Sequence, residues 1–126
     1  MEEKDREIRV GENRFYLGED NIIYFTLIGE HDEKRAIACK DAFLKLVNMV
    51  EGKANVLGDL NAAGKQSPEA RAIWKELNEH EKIGKIALIG LHPVARVIAS
   101  FVMGISKKKD MRLFKTREKA LAWLKE

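Results

Sequence analysis

Four side chains in this sequence are of the kinds that hold metals or move protons and fall where loops are expected: His31, Asp32, Asp59 and His92. A histidine set among carboxylates can bind zinc or relay a proton. None of the four stands at a tight ligand spacing such as His-x-x-x-His, and the two aspartates equally suit the capping of turns, with His92 just ahead of a helix. A second chemistry is offered by GDLNAAGKQSPEAR, Gly58 to Arg71, which pairs glycines with a lysine and a serine. A phosphate-cradling loop needs four residues between its first glycine and the Gly-Lys pair, then Ser or Thr directly after the lysine. Here Gly58 and Gly64 enclose five residues and Gln66 follows Lys65, so a nucleotide cradle is not expected. There is no Gly-x-Ser-x-Gly elbow, and Cys39 falls inside an expected helix rather than at a helix N-terminus, where a thiolate is favoured. The residues therefore assign no catalyst, no metal set and no cofactor.

The elements that must position these residues are legible as a change of period. EIRV, NRFYL and NIIYFTLI are rich in β-branched and aromatic residues and are separated by GEN and GED, which suits an antiparallel meander. After Gly29-Glu30-His31-Asp32 the apolar residues Ala36, Cys39, Phe43, Val47 and Val50 recur at helical spacing, and Gly52 is placed to end that helix. Alternation follows: a strand over Ala54 to Leu60, a helix opening at Ser67-Pro68-Glu69, a strand over Lys85 to Ile89, a helix from HPV to about Ile105, a strand over Met111 to Lys115 and a last helix beginning at Thr116. Ser67 is a good N-cap with proline at the first helical position. The fold class expected is α/β: a mixed, largely parallel central sheet with an N-terminal antiparallel meander and about four helices. Loops at Gly29 to Asp32, Asp59 to Ser67 and Leu91 to Pro93 should gather beyond the carboxyl ends of the parallel strands.

Composition bounds the possibilities. The chain has 126 residues, 45% hydrophobic and 34% charged, enough for one domain with a single core spanning residues 1–126. A net charge of +3, from 23 basic and 20 acidic residues, is not the footprint of a dedicated nucleic-acid binder, and Lys107-Lys108-Lys109 is the one dense basic run. The single cysteine, Cys39, allows no internal disulfide, and neither a signal peptide nor a membrane-spanning run is evident, so a cytoplasmic setting is expected. On the helix after HPV, Ala95, Ala99 and Met103 form a second apolar line beside the stripe that begins at Val94. That line either buries the helix deeply or faces a partner, a second copy or a lipid-like ligand.

From about Asn21 onward the order of elements and the strings IIYFTLIGEHD, NVLGDLNAAGKQSPEARAIWKEL, KIALIGLHPVARVIASF and RLFKTREKALAWL resemble a STAS domain, the sulfate-transporter and anti-sigma-factor-antagonist fold, in its divergent sporulation-antagonist-like branch. The resemblance implies a non-catalytic regulatory module whose partner surface is the edge from Asp59 to Ser67. In this reading Gly29, His31, Asp32, Asp59, Asn61, Gly64, Lys65 and His92 line loops that face a partner or ligand. It also implies a phosphorylatable serine, for which Ser67 is the matching position, although Gln66 stands where the family has aspartate and Pro68-Glu69 replace its Ser/Thr-Gly. Ser67 is thus a candidate phosphosite or a plain helix cap. Two functions follow: docking to a protein partner or to itself, or carriage of an apolar ligand beneath the Val94 to Ile105 helix. The second gains fold-level support from the similarity of this branch to lipid-binding CRAL-TRIO domains.

Overall fold

The computed structural model describes residues 6–90, 92–93 and 110–126. The expected helix from Val94 to Ile105, with Ala95, Ala99 and Met103, lies outside the described residues. The described elements are β1 (Glu7–Val10), β2 (Asn13–Leu17), β3 (Ile22–His31), α1 (Glu33–Val47), β4 (Ala54–Gln66), α2 (Pro68–Asn78), β5 (Ile83–Ile89), β6 (Met111–Phe114) and α3 (Arg117–Leu124). All six strands lie in one sheet in chain order. The pairs β1–β2 and β2–β3 are antiparallel, and β3 through β6 are parallel. The mixed α/β sheet with its N-terminal meander is thus as the periodicity predicts.

Because each parallel crossover steps one strand further in the same direction, right-handed connections put successive helices on one face. That face carries Phe15, Ile23, Leu27, Val56, Leu60, Ile86 and Leu88, packed against Cys39, Phe43, Leu46 and Val47 of α1 and Trp74 and Leu77 of α2. The opposite face presents Ile22, Tyr24, Leu57, Ala87 and Ile89 to Ala120, Trp123 and Leu124 of α3. Having helices on both sides removes the polar alternation from the central strands, so Ile22 and Ile23 are both buried, at 4% and 0% exposure. Fully burying a side chain such as Ile23 or Leu46 contributes roughly 1.5–3 kcal/mol.

The capping residues act where the sequence places them. Asp32 Oδ1 accepts from the Arg35 amide at 2.9 Å, Ser67 Oγ from the Ala70 amide at 3.1 Å and Thr116 Oγ1 from the Lys119 amide at 3.2 Å. Gly52 does not end α1: the helix stops at Val47 with Asn48 as its C-cap, and Gly52 turns the loop beyond it at φ +73°.

Gly58 has a packing role. It sits opposite Phe25 in the β3–β4 ladder, and a Cβ there would stand 2.1 Å from Phe25 Cζ. The Phe25 ring is held by Phe15, stacked at 6.2 Å, and Phe43, edge-on at 6.3 Å, so it cannot retreat without disturbing both. Gly58→Ala is therefore expected to destabilise the fold by about 1–3 kcal/mol, the usual cost of overpacking, read as a lower urea midpoint at unchanged slope.

Candidate functional site

β3 and β4 run on together past the rest of the sheet. β5 last pairs at Ile89 with Asp59, and β2 pairs with β3 as far as Thr26, yet β3 and β4 stay paired as far as His31 and Gln66. The stretches expected as loops, Gly29 to Asp32 and Asp59 to Ser67, are thus mostly strand, because each supplies the other with a ladder partner. Register shifts between Thr26 and Ile28 and between Gly29 and His31 each place an extra residue on β4. Without these two bulges Gly64 would face His31; with them, Gln66 does. Gly29 stands at the second bulge with φ +76° and open space where a Cβ would go, so it is the backbone angle that calls for glycine.

This register closes a buried polar network. Trp74 Nε1, which can only donate, donates to Gln66 Oε1 at 2.9 Å. The Gln66 amide nitrogen is thereby turned the other way, where it donates to the Gly64 carbonyl at 3.0 Å and lies 3.0 Å from His31 Nδ1. Nδ1 must then accept, so the ring proton sits on Nε2 and points at Asn13 Oδ1, 3.1 Å away. Asn13 Oδ1 also accepts from the Ile28 amide at 2.8 Å, and Asn13 Nδ2 donates to the Val10 carbonyl at 3.0 Å. The Trp74 ring closes over His31 edge-on at 5.8 Å. Three of the four buried polar residues among those described, Asn13, His31 and Gln66, belong to this one network. Burial above all, then the Arg35 charge, holds the His31 pKa below its ordinary value, with partial opposition from the Gly29 backbone and Asp32.

His31, expected on a ligand-facing loop, stands at the end of β3, 2% exposed and with both ring nitrogens engaged. Above it lies an open groove of about 480 Å³, lined by Glu30, His31, Asp32, Arg35, Lys65, Gln66 and Ser67. It brings together the starts of α1 and α2, whose caps are Asp32 and Ser67. The Ser67 amide donates to the His31 carbonyl at 3.0 Å, tying the cap to the network. Of the other expected site residues, Lys65 is exposed on the rim and Gly64 lends its carbonyl to Gln66. Asp59, Asn61 and His92 are not part of the lining. Asp59 Oδ1 accepts from both the backbone and side-chain nitrogens of Asn61, at 2.9 and 3.0 Å, while His92 Nε2 donates to the Leu60 carbonyl at 2.9 Å. Among the described residues no three His, Cys, Asp or Glu side chains gather as metal ligands would. Cys39 is wholly buried, and burial pushes its thiol up to about 11.

Asn13, Gln66 and Trp74 carry no periodic or spacing signal as site residues. What joins them is the register of β3 against β4, set by bulges that no local string announces.

A family profile of a domain of unknown function, DUF7793, matches residues 15–126, most of the chain. The chain belongs to the DUF7793 family. No curated protein sequence matches it. Three solved structures share the fold of this DUF7793 member. An anti-sigma factor antagonist from Mycobacterium paratuberculosis is 20% identical with a TM-score of 0.68, covering 91% of this chain and 96% of that one. An uncharacterised protein of the DUF3478 family with a SpoIIAA-like fold, from Shewanella loihica PV-4, is 13% identical with a TM-score of 0.64, covering 94% and 90%. The anti-sigma factor antagonist SpoIIAA in its unphosphorylated form is 13% identical with a TM-score of 0.59, covering 90% and 97%. The DUF7793 chain thus has the SpoIIAA-like, STAS-type architecture.

Two substitutions test the site as built. Trp74→Phe keeps a ring over His31 but leaves Gln66 Oε1 without its donor, and is expected to cost about 1–3 kcal/mol in denaturant unfolding. Ser67→Ala should cost about 0.5–2 kcal/mol, and Ser67→Asp, itself a good cap, close to nothing.

Proposed function

We propose that this chain is a non-catalytic docking module that engages a protein partner, or a second copy of itself, through the rim formed by Glu30 to Arg35 and Asn61 to Ser67. The observation that carries this reading is the contrast between the rim and what lies under it. The outward side chains of the rim are polar, exposed and of mixed charge, with Arg35 and Lys65 beside Glu30 and Asp32. Beneath it both His31 ring nitrogens are committed, so the site offers a shaped surface rather than a free base. Cys39, with its raised thiol pKa, is a poor nucleophile. Ile37 is the one large hydrophobic exposed among the described residues, at 46%, which fits a wet, reversible contact better than a permanent apolar one.

The similar fold of an anti-sigma factor antagonist supports a regulatory docking role. Gln66, in place of that family's aspartate, has its amide engaged on both sides, a task a carboxylate cannot perform because it has no N–H to give to Gly64. Ser67 is then first a cap, and a phosphate on it would share the groove with Arg35 and Lys65. The reducing setting expected of a lone buried cysteine fits a cytoplasmic regulator. The apolar space lined by Phe25, Phe43, Trp74 and Leu88 measures about 80 Å³. Pockets for drug-sized ligands run to roughly 300–1,000 Å³, so this space by itself is too small to hold one, while the space beneath the expected Val94 to Ile105 helix lies outside the described residues.

Arg35→Glu combined with Lys65→Glu is expected to weaken capture of a partner from the source cell by about tenfold or more. Wild type and Lys125→Glu, a change at the far end of α3, should capture it equally. Equal capture by all three proteins would place docking elsewhere. Ser67→Asp should weaken the same capture if the serine is a phosphoswitch, and leave it unchanged if Ser67 only caps.

A further inference from the structure

We propose that His31 is an acid-sensitive latch on the end of β4 and the start of α2: a second proton on its ring meets the Gln66 amide donor instead of an acceptor and frees the segment from Gly64 to Arg71. The latch concerns the shape of the rim and holds whether or not a partner docks there.

The polarity of the network fixes what protonation does. Trp74 holds Gln66 Oε1, so the Gln66 amide cannot flip to offer an oxygen to Nδ1 without abandoning the indole and the Gly64 carbonyl at once. A ring that gains a proton therefore pushes Gln66 away. Gln66 closes the β3–β4 ladder opposite His31, and the next residue, Ser67, hangs from the His31 carbonyl while its own carbonyl and hydroxyl receive the Arg71 and Ala70 amides. One proton thus acts on the last rung of the ladder and the first turn of α2 together.

The surroundings offer a cationic ring little help. α1 and its cap bring Arg35 and Asp32, β3 brings Glu30 and the Gly29 backbone, and β4 brings Lys65. β2 presents the neutral Asn13, and α2 presents the neutral Trp74, with Arg71 one turn earlier on that helix. Burial lowers the His31 pKa in the folded chain. The stabilising contribution of neutral His31 is therefore whole above the ordinary histidine value of about 6.5 and is lost as pH falls from there through the folded value.

The test is amide exchange followed by NMR from pH 7.5 to 5, corrected for the intrinsic rate, together with the ¹⁵N shifts of the His31 ring. At neutral pH the ring should report the Nε2–H tautomer. Below about pH 6.5 protection of the Ser67, Ala70 and Arg71 amides should fall by up to about tenfold per pH unit, while the Leu57 and Leu88 amides keep theirs. Gln66→Glu is near-isosteric and turns a carboxylate toward Nδ1. It should let His31 hold its second proton to higher pH and abolish the acid loss of protection. An Nδ1–H tautomer at neutral pH overturns the latch, as does titration of His31 with no change at residues 67–71. An equal loss at Leu57 and Leu88, or the same acid loss in Gln66→Glu, overturns it as well. The ring shifts need no variant, so the outcome does not depend on Gln66→Glu folding.

Discussion

A tryptophan indole has one N–H and nothing that accepts, and in this protein that chemical limitation sets the direction of a chain of hydrogen bonds. Because Trp74 can only give, Gln66 must receive with its oxygen; because its oxygen is taken, its nitrogen must give to Gly64 and His31; because Nδ1 receives, Nε2 must carry the proton toward Asn13. Four elements, β2, β3, β4 and α2, are joined by that sequence of obligations. Buried polar groups are costly when left unpaired, so the same chain that orients the side chains also penalises any other register of β4 against β3.

The rim inherits its form from this arrangement. Two helices begin at one end of the sheet, each with a side-chain cap, and the cap of the second is held to β3 through the backbone of His31. Loops usually carry recognition residues because they are free to vary, and a rigid scaffold then positions them. Here the scaffold extends into the proposed docking rim, since Asn61 to Gln66 is a strand rather than a loop.

The parts of the fold that depend on local pattern are plain in the sequence. The meander, the alternation of strand and helix, and the caps Asp32, Ser67 and Thr116 follow from side-chain type and spacing, and the structure has them. What depends on register was not legible. NAAGKQ contains the small and polar residues of a loop, yet it pairs with β3 because a parallel partner of matching length lies beside it. Bulges change which residues meet without changing composition, so Gln66 opposite His31 leaves no trace in periodicity. His31 reads as a loop residue facing a partner because it stands between a glycine-glutamate pair and the aspartate that opens a helix; the ring that closes over it is Trp74, 43 positions away. Gly58 invites comparison with a phosphate-loop glycine, which its spacing to Lys65 rules out, but only the fold reveals its neighbour, a phenylalanine on another strand.

The two faces of the sheet also differ in when they can be covered during synthesis. The face under α1 and α2 acquires those helices between its own strands, as the chain emerges. Among the described residues the other face is covered by α3, which follows all six strands in the chain, with the Trp123 and Leu124 carbonyls held by Lys85 Nζ and Asn55 Nδ2. A growing chain with β3, β4 and β5 already aligned therefore cannot set α3 over Ile22, Leu57, Ala87 and Ile89 until β6 has also been made. Apolar surface waiting for its helix is the kind that nascent-chain chaperones bind, and a stop codon ahead of Arg117 would leave the contacts of α3 unmade for good.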